Sequence, residues 1–231
     1  MSEQVPRPPS HLSGYGEICL QALADAGLGD KISLGGALGL LYYYDYRPTY
    51  DVDAWWVDAT EQDRQRVIRT ITKALEPLGA VTVRSWGDVV SIELKDDTGK
   101  VFSFQIAQRS AQLEPAKLVP ELGVLLDSFP DLIASKMVAL VERGLPRDFR
   151  DIHAVCQAGL ITPQKCWDLW RRRQQIAGSD TDHHRAKLAI ETHLERIAQH
   201  RQLDEIADPE KRREAHELRK WFREVFLNAA E

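Results

Sequence analysis

The sequence predicts an α+β fold continued by an α-helical region, and three observations carry that expectation. A strand pattern at residues 31–34 runs through Gly35-Gly36 into a helical pattern and then a second strand pattern. Three runs rich in β-branched and aromatic residues follow between 81 and 107. After about residue 127 the periodic segments repeat at helical spacing. The division expected is an α+β core over 1–127, with 1–10 as a loose tail, and a helical region over 128–231 packed on that core.

The first helix is expected over 15–28, where Cys19, Leu20, Leu23 and Ala24 recur at helical spacing and Gly27 and Gly29 end the run. Residues 31–34 form a short strand, the glycine pair a turn, and the apolar run 37–41 a helix. Arg47-Pro48-Thr49 breaks that helix, because proline disfavours helical geometry in the residue before it. A strand follows at 51–57. Residues 61–76 form an amphipathic helix, with Val67, Ile68, Ile71, Ala74 and Leu75 on one face and Pro77 at its end. Strands are expected at 81–86, 89–94 and 101–107, the last two joined by the hairpin signal Asp96-Asp97-Thr98-Gly99. Residues 122–126 add an edge strand. Helices then occupy 131–143, 147–158, 163–175, 181–201 and 209–229.

At 43% hydrophobic and 28% charged, the 231-residue chain has the makeup of a globular protein with a real core. A formal net charge of −5 provides no global field for nucleic acid or anionic membrane, so such binding rests on local patches. Cys19, Cys156 and Cys166 are odd in number and lack metal-ligand spacing, which suits reduced packing thiols in a cytoplasmic protein. Residues 1–9 carry no basic and apolar signal pattern. The longest apolar stretch, 34–44, is too short to span a bilayer, so no membrane partner is expected.

Candidate chemistry centres on Asp51-Val52-Asp53. Alternation along a strand puts Asp51 and Asp53 on one face and Val52 on the other. Two carboxylates held as neighbours raise each other's pKa unless a cation compensates, and hard oxygen ligands of this kind suit Mg²⁺ completed by substrate phosphates. Gly35-Gly36, between strand and helix, offers bare backbone amides to phosphate oxygens, or is an ordinary tight turn. Arg47, beside Thr49, gives a guanidinium for phosphate, or is a solvated loop residue. Lys136 shares a helix face with Leu132, Ile133 and Leu140, so its ammonium either snorkels outward or meets an anion, a triphosphate or an aspartate. Asp148 and Asp151 stand i, i+3 beside an apolar seam, for function or for a salt-bridged network.

The run Gly35-Gly36-Ala37-Leu38, then Tyr46-Arg47-Pro48-Thr49-Tyr50-Asp51-Val52-Asp53, then Leu132 through Arg143, then Arg147-Asp148-Phe149-Arg150-Asp151-Ile152, resembles the AbiEii/AbiGii toxin family of nucleotidyltransferases. The resemblance spans residues 31–155. It implies a DNA polymerase β-like nucleotidyltransferase fold with a small mixed sheet, followed by a helical region that completes the active site. It implies Asp51 and Asp53 as ligands of Mg²⁺ or Mn²⁺, and Gly35-Gly36 as the triphosphate cradle. Lys136 and Asp148 match the family's late lysine and aspartate, and Arg47, Thr49, Lys136 and Asp151 would contact nucleotide. The implied reaction moves a nucleotide from an NTP to an acceptor, RNA such as tRNA or a protein. The implied setting is a toxin with a separate cognate antitoxin.

Two positions depart from the pattern. Ala37 lacks the hydroxyl often found after the glycine pair, and the central strand 101–107 offers Ser103 and Gln105 where a third carboxylate often sits. Glu93 is the nearest acidic substitute. The alternative reading is therefore a catalytically weakened nucleotide-binding protein of the same fold. Asp182-His183-His184 is set aside as a phosphoesterase motif because Asp182 opens a helix as an N-cap. Arg147 and His153 are set aside as a nuclease pair. Trp55, on the carboxylate side, stacks on a base or sits in the core. The basic residues of 211–223 alternate with acids, which favours a solvated face over RNA binding.

Overall fold

The fold is taken from a computed structural model that describes residues 5–10 and 12–229, so positions 1–4 of the expected tail lie outside the described residues. The chain divides into two compact units, Met1–Leu132 and Ile133–Glu231.

The first unit runs α1 (Gly14–Asp25), β1 (Ile32–Leu34), α2 (Gly36–Leu41), β2 (Val52–Trp56), α3 (Glu61–Leu75), β3 (Ala80–Trp86), β4 (Val89–Asp96), β5 (Gly99–Ala107), β6 (Lys117–Val119) and β7 (Val124–Leu126). The strands form one mixed sheet in the order β3-β4-β5-β2-β1-β7-β6. β2 runs parallel to β5 and β1 parallel to β7, while the remaining neighbours are antiparallel.

Period-two alternation assigns the sheet its faces. On β2, Val52, Ala54 and Trp56 are buried, while Asp51, Asp53 and Trp55 lie on the opposite, more exposed side. The buried set joins Ile92, Leu94, Phe104 and Ile106 in a core that α1 closes with Cys19, Leu20 and Leu23, and α3 with Val67, Ile71 and Leu75. Complete burial of a Leu, Ile or Phe side chain stabilises by about 1.5–3 kcal/mol, so this face holds the unit together. α3 starts at a capping box in which Thr60 accepts from the Asp63 N–H and Asp63 accepts from the Thr60 N–H. The hairpin turn forms as expected, with Asp96 accepting from the Thr98 N–H at 2.7 Å and Gly99 at φ +120.

α2 covers the apolar run expected as a helix and stops at Leu41; beyond it Tyr43 lies on Phe129, with ring centroids 5.4 Å apart, and donates to the Asp127 carbonyl at 3.1 Å. Two elements differ from expectation. β7 is an inner strand, since the three-residue β6 pairs outside it. The expected helix 209–229 changes to a π-helical turn at Phe222–Phe226.

The second unit contains most of α4 (Phe129–Glu142), then α5 (Pro146–Gln157), α6 (Pro163–Ala177), α7 (His183–His200) and α8 (Pro209–Trp221). Thr162, Asp182 and Asp208 cap the last three by accepting first-turn N–H groups. Aromatic rings fill the centre: Phe149 lies 4.8 Å from Phe222, and Trp167 lies 5.5 Å from Phe226 while donating to its carbonyl at 3.2 Å. The Cys156 and Cys166 sulfurs stand 3.9 Å apart as free thiols.

Candidate active site

The polar face of β2 carries the site. Asp53 lies inside the strand, with Gln105 of β5 as its cross-strand neighbour. Asp51 stands one residue ahead of β2, so the expected strand start is displaced. Its Oδ1 accepts the Ser103 N–H at 2.9 Å, which fixes the carboxylate against β5. The two acids thus sit on one face, as alternation requires.

Gly35 and Gly36 close over this face from the neighbouring strand. The Gly35 N–H donates to the Asp53 carbonyl at 2.9 Å, which brings the turn against β2. Gly36 has φ +58, and a Cβ there would fall on the Asp53 carboxylate. A Cβ on Gly35 would stand 2.5 Å from Trp55 Nε1. Both glycines are therefore required by close approach, and at Gly36 also by the left-handed backbone.

Sequence reasoning missed a buried network on the same face. Arg109 Nη2 donates to Ser33 Oγ at 2.7 Å and to Asp127 Oδ1 at 2.5 Å, and Nη1 lies 3.8 Å from Asp131. Its guanidinium stands over the Trp55 ring at 5.6 Å. Asp131 is satisfied by the Leu113 and Glu114 N–H groups and by Ser128. Asp127 Oδ2 is buried without a hydrogen-bond partner and would lie 3.5 Å from a Cβ on Gly35. Burial pushes the Asp127 carboxyl above its ordinary value of 3.8, against the opposing pull of Arg109 and Ser33. The available signal was Ser33, a hydroxyl within the buried strand Ile32–Leu34.

The other predicted residues are placed as follows. Arg47 is half-buried, donates to the Pro48 carbonyl at 3.2 Å and lies 5.7 Å from the Tyr46 ring centroid; Thr49 is half-buried in the same loop. Glu93 lies on β4 opposite Ser103, with β5 between it and β2. In the second unit, buried Lys136 meets Asp151 at 2.6 Å, so the anion that accounts for its burial is an aspartate. Asp148 is fully buried and held by the Nε and Nη2 of Arg143, each at 3.0 Å, with the Leu145 N–H at 3.2 Å. His183 packs on Trp167 and Trp170 and accepts from Arg171 at 3.0 Å, a setting unlike a phosphoesterase metal centre.

The donor set fits Mg²⁺ in kind: two hard carboxylates on one exposed face beside a glycine cradle, with substrate phosphates left to fill the shell. Among the described residues no three His, Cys, Asp or Glu side chains gather as a metal cage, and no helix is long and apolar enough to cross a membrane.

A mixed sheet thus packs α1 and α3 on one face and carries Asp53 beside the glycine turn on the other. The fold matches a crystal structure of JHP933 from Helicobacter pylori, with TM-score 0.53 and 15% identity over 93% of this chain and 90% of that one. It also matches a candidate nucleotidyltransferase from H. pylori, with TM-score 0.52 and 16% identity over 93% of each chain. No curated protein sequence matches the chain. The family described as nucleotidyl transferase AbiEii toxin, of type IV toxin–antitoxin systems, matches residues 18–225. The chain belongs to that family.

Proposed function

We propose that the protein moves a nucleotide from an NTP to an acceptor, RNA such as tRNA or a protein, in a reaction that depends on Mg²⁺ or Mn²⁺. The observation that carries this reading is the packing of Gly36 against Asp53, which puts the glycine turn beside the carboxylate-bearing strand. Asp51 and Asp53 hold the metal, and the Ser103 N–H keeps Asp51 oriented for it. When bound, the metal polarises the α-phosphate and lowers the pKa of the acceptor hydroxyl. Gly35 and Gly36 amides, with Arg47 and Thr49, hold the triphosphate. The acceptor oxygen bonds to the α-phosphorus, the bond to the β-phosphate oxygen breaks, pyrophosphate leaves, and the hydroxyl proton passes to water. Within the second unit Lys136 is held by Asp151, and Asp148 anchors the start of α5. A cytoplasmic setting and a separate antitoxin belong to the same proposal.

A second reading, a nucleotide-binding protein with weakened turnover, is favoured by Gln105 standing opposite Asp53 where an acid would serve as a third ligand. Incubation with each labelled NTP, Mg²⁺ or Mn²⁺, and total RNA or protein separates the two. The proposal expects labelled acceptor that disappears in Asp53→Asn. Nucleotide binding with no labelled product supports the second reading and sinks the first.

A further inference from the structure

Along the sequence the bases of α8 alternate with acids, but on the helix they separate. At about 100° per residue, Arg212, His216, Arg219 and Lys220 fall within an arc of about 100°, whereas Glu210, Glu214 and Glu217 fall to one side of it; Arg223 follows in the π-helical turn. All of the stripe except Arg212 lines a cavity of about 610 Å³, together with Ala198, Gln202, Leu203 and Glu224.

Within this cavity Arg219 is the unusual group. Only 8% of its surface is exposed. Its one hydrogen bond goes from Nη2 to the Arg201 carbonyl at 2.6 Å, and among the described residues no carboxylate pairs with it. Its neighbours are answered: Arg223 by Glu195 at 2.7 Å and Lys220 by Glu224 at 3.8 Å. A buried guanidinium with one carbonyl acceptor bears an uncompensated desolvation cost, which an anion in the cavity relieves. Burial first, then the charge of Arg223, opposes the protonated state of Arg219. The chain also departs from α-helix at this point. The π-helical turn Phe222–Phe226 carries Arg223 and Glu224 onto the cavity, and such turns recur at functional sites.

We propose that this cavity is a nucleic-acid site in which Arg219 holds a phosphodiester of a single-stranded RNA. A phosphodiester carries one negative charge, which matches Arg219, the arginine or lysine of the cavity lining that has no carboxylate partner among the described residues. A strand is favoured over a small anion by length. The eleven residue-to-residue steps from Arg212 to Arg223 rise about 16 Å, enough for several phosphates of a strand. The site lies within the second unit and does not depend on the nucleotidyl-transfer reading.

The test is fluorescence anisotropy of a short labelled oligouridylate across a salt series, with wild type, Arg219→Gln and Lys220→Gln. Each variant is expected to weaken binding about three- to tenfold and to reduce the slope of log K against log salt by about 0.7. Lys220 is exposed, so Lys220→Gln reads the site even where Arg219→Gln disturbs folding, which urea unfolding reports. Wild-type protein that binds no strand, or variants that bind it with unchanged affinity and slope, overturn the proposal. Displacement of the strand by inorganic phosphate at equal phosphate concentration overturns it too, in favour of a small-anion site.

Discussion

Gly36→Ala asks the most of the candidate site. At φ +58 an alanine costs about 1–2 kcal/mol in backbone strain. The new methyl also meets Asp53, whose Cβ and Cγ would stand 2.6 and 2.8 Å away, and overpacking of that order costs a further 1–3 kcal/mol or about that. The expected destabilisation is therefore about 2–5 kcal/mol, read from urea unfolding followed by far-ultraviolet circular dichroism. Gly35→Ala is the control: its φ of −126 is ordinary, so only the contact with Trp55 Nε1 remains, at about 1–3 kcal/mol. Asp53→Gly removes the atoms that the methyl strikes. In that background Gly36→Ala should cost only the strain of about 1–2 kcal/mol, leaving a coupling of about 1–3 kcal/mol. A cost within about 0.5 kcal/mol of zero, or one unchanged by Asp53→Gly, refutes the close approach of the turn to the carboxylate.

Three further outcomes are expected. Asp51→Asn and Asp53→Asn should each weaken Mn²⁺ binding in the presence of NTP by more than about tenfold in calorimetry; unchanged affinity places the metal elsewhere. Lys136→Met strips buried Asp151 of its ammonium and should cost about 3–5 kcal/mol, most of it recovered in Lys136→Met/Asp151→Leu; a double variant as unstable as the single one argues against the pair. His153 stacks on Trp221 at 4.9 Å, and burial, opposed by Glu217, lowers its pKa below 6.5. The unfolded chain thus takes the proton first, so the stability from neutral His153 is present above pH 6.5 and is lost as pH falls through the lowered value. His153→Gln should flatten that acid limb of the unfolding midpoint, and an unaltered limb assigns it to other groups.

The strands, helices and paired acids were legible because each rests on a short-range signal. β2 could be read from Val52, Ala54 and Trp56 alternating with Asp51, Asp53 and Trp55, since the same period that buries one set displays the other. α3 carried its apolar stripe and its proline stop within residues 61–77, although its Thr60 cap was not read. Other features rest on distant partners. β6 has three residues and acquires its place only by pairing with β7. Tyr43, just beyond α2, meets Phe129 and the Asp127 carbonyl, some eighty residues away. Arg109, Asp127 and Ser33 are separated by many residues and meet only when β5, β7 and β1 share a sheet. The partner of Lys136 was open for a related reason, since a helical pattern says which face a lysine takes but not which acid the next helix presents to it.

That missed network bears on the charge of the two aspartates. Asp51 and Asp53 need a cation to be neighbours, and Arg109 is the guanidinium on their face of the sheet. Its donors are taken up by Ser33 and Asp127, Asp131 stands close by, and the Trp55 ring lies beneath it. Two carboxylates around one guanidinium leave no positive charge to spend on β2. The β5 residues directly opposite the two acids are neutral, with Ser103 lending an N–H to Asp51 and Gln105 facing Asp53, while Lys100 of the same strand donates to Ser103 Oγ at 3.4 Å. On the nucleotidyl-transfer reading this is the useful arrangement: the protein supplies anions and dipoles, and the compensating charge arrives with metal and nucleotide together. It follows that Asp127→Asn, which loosens the hold on Arg109 and frees part of its charge toward Trp55 and Asp53, should weaken Mn²⁺ binding at the aspartates without touching them. Affinity equal to wild type in that variant would show that the two halves of the polar face are electrostatically separate.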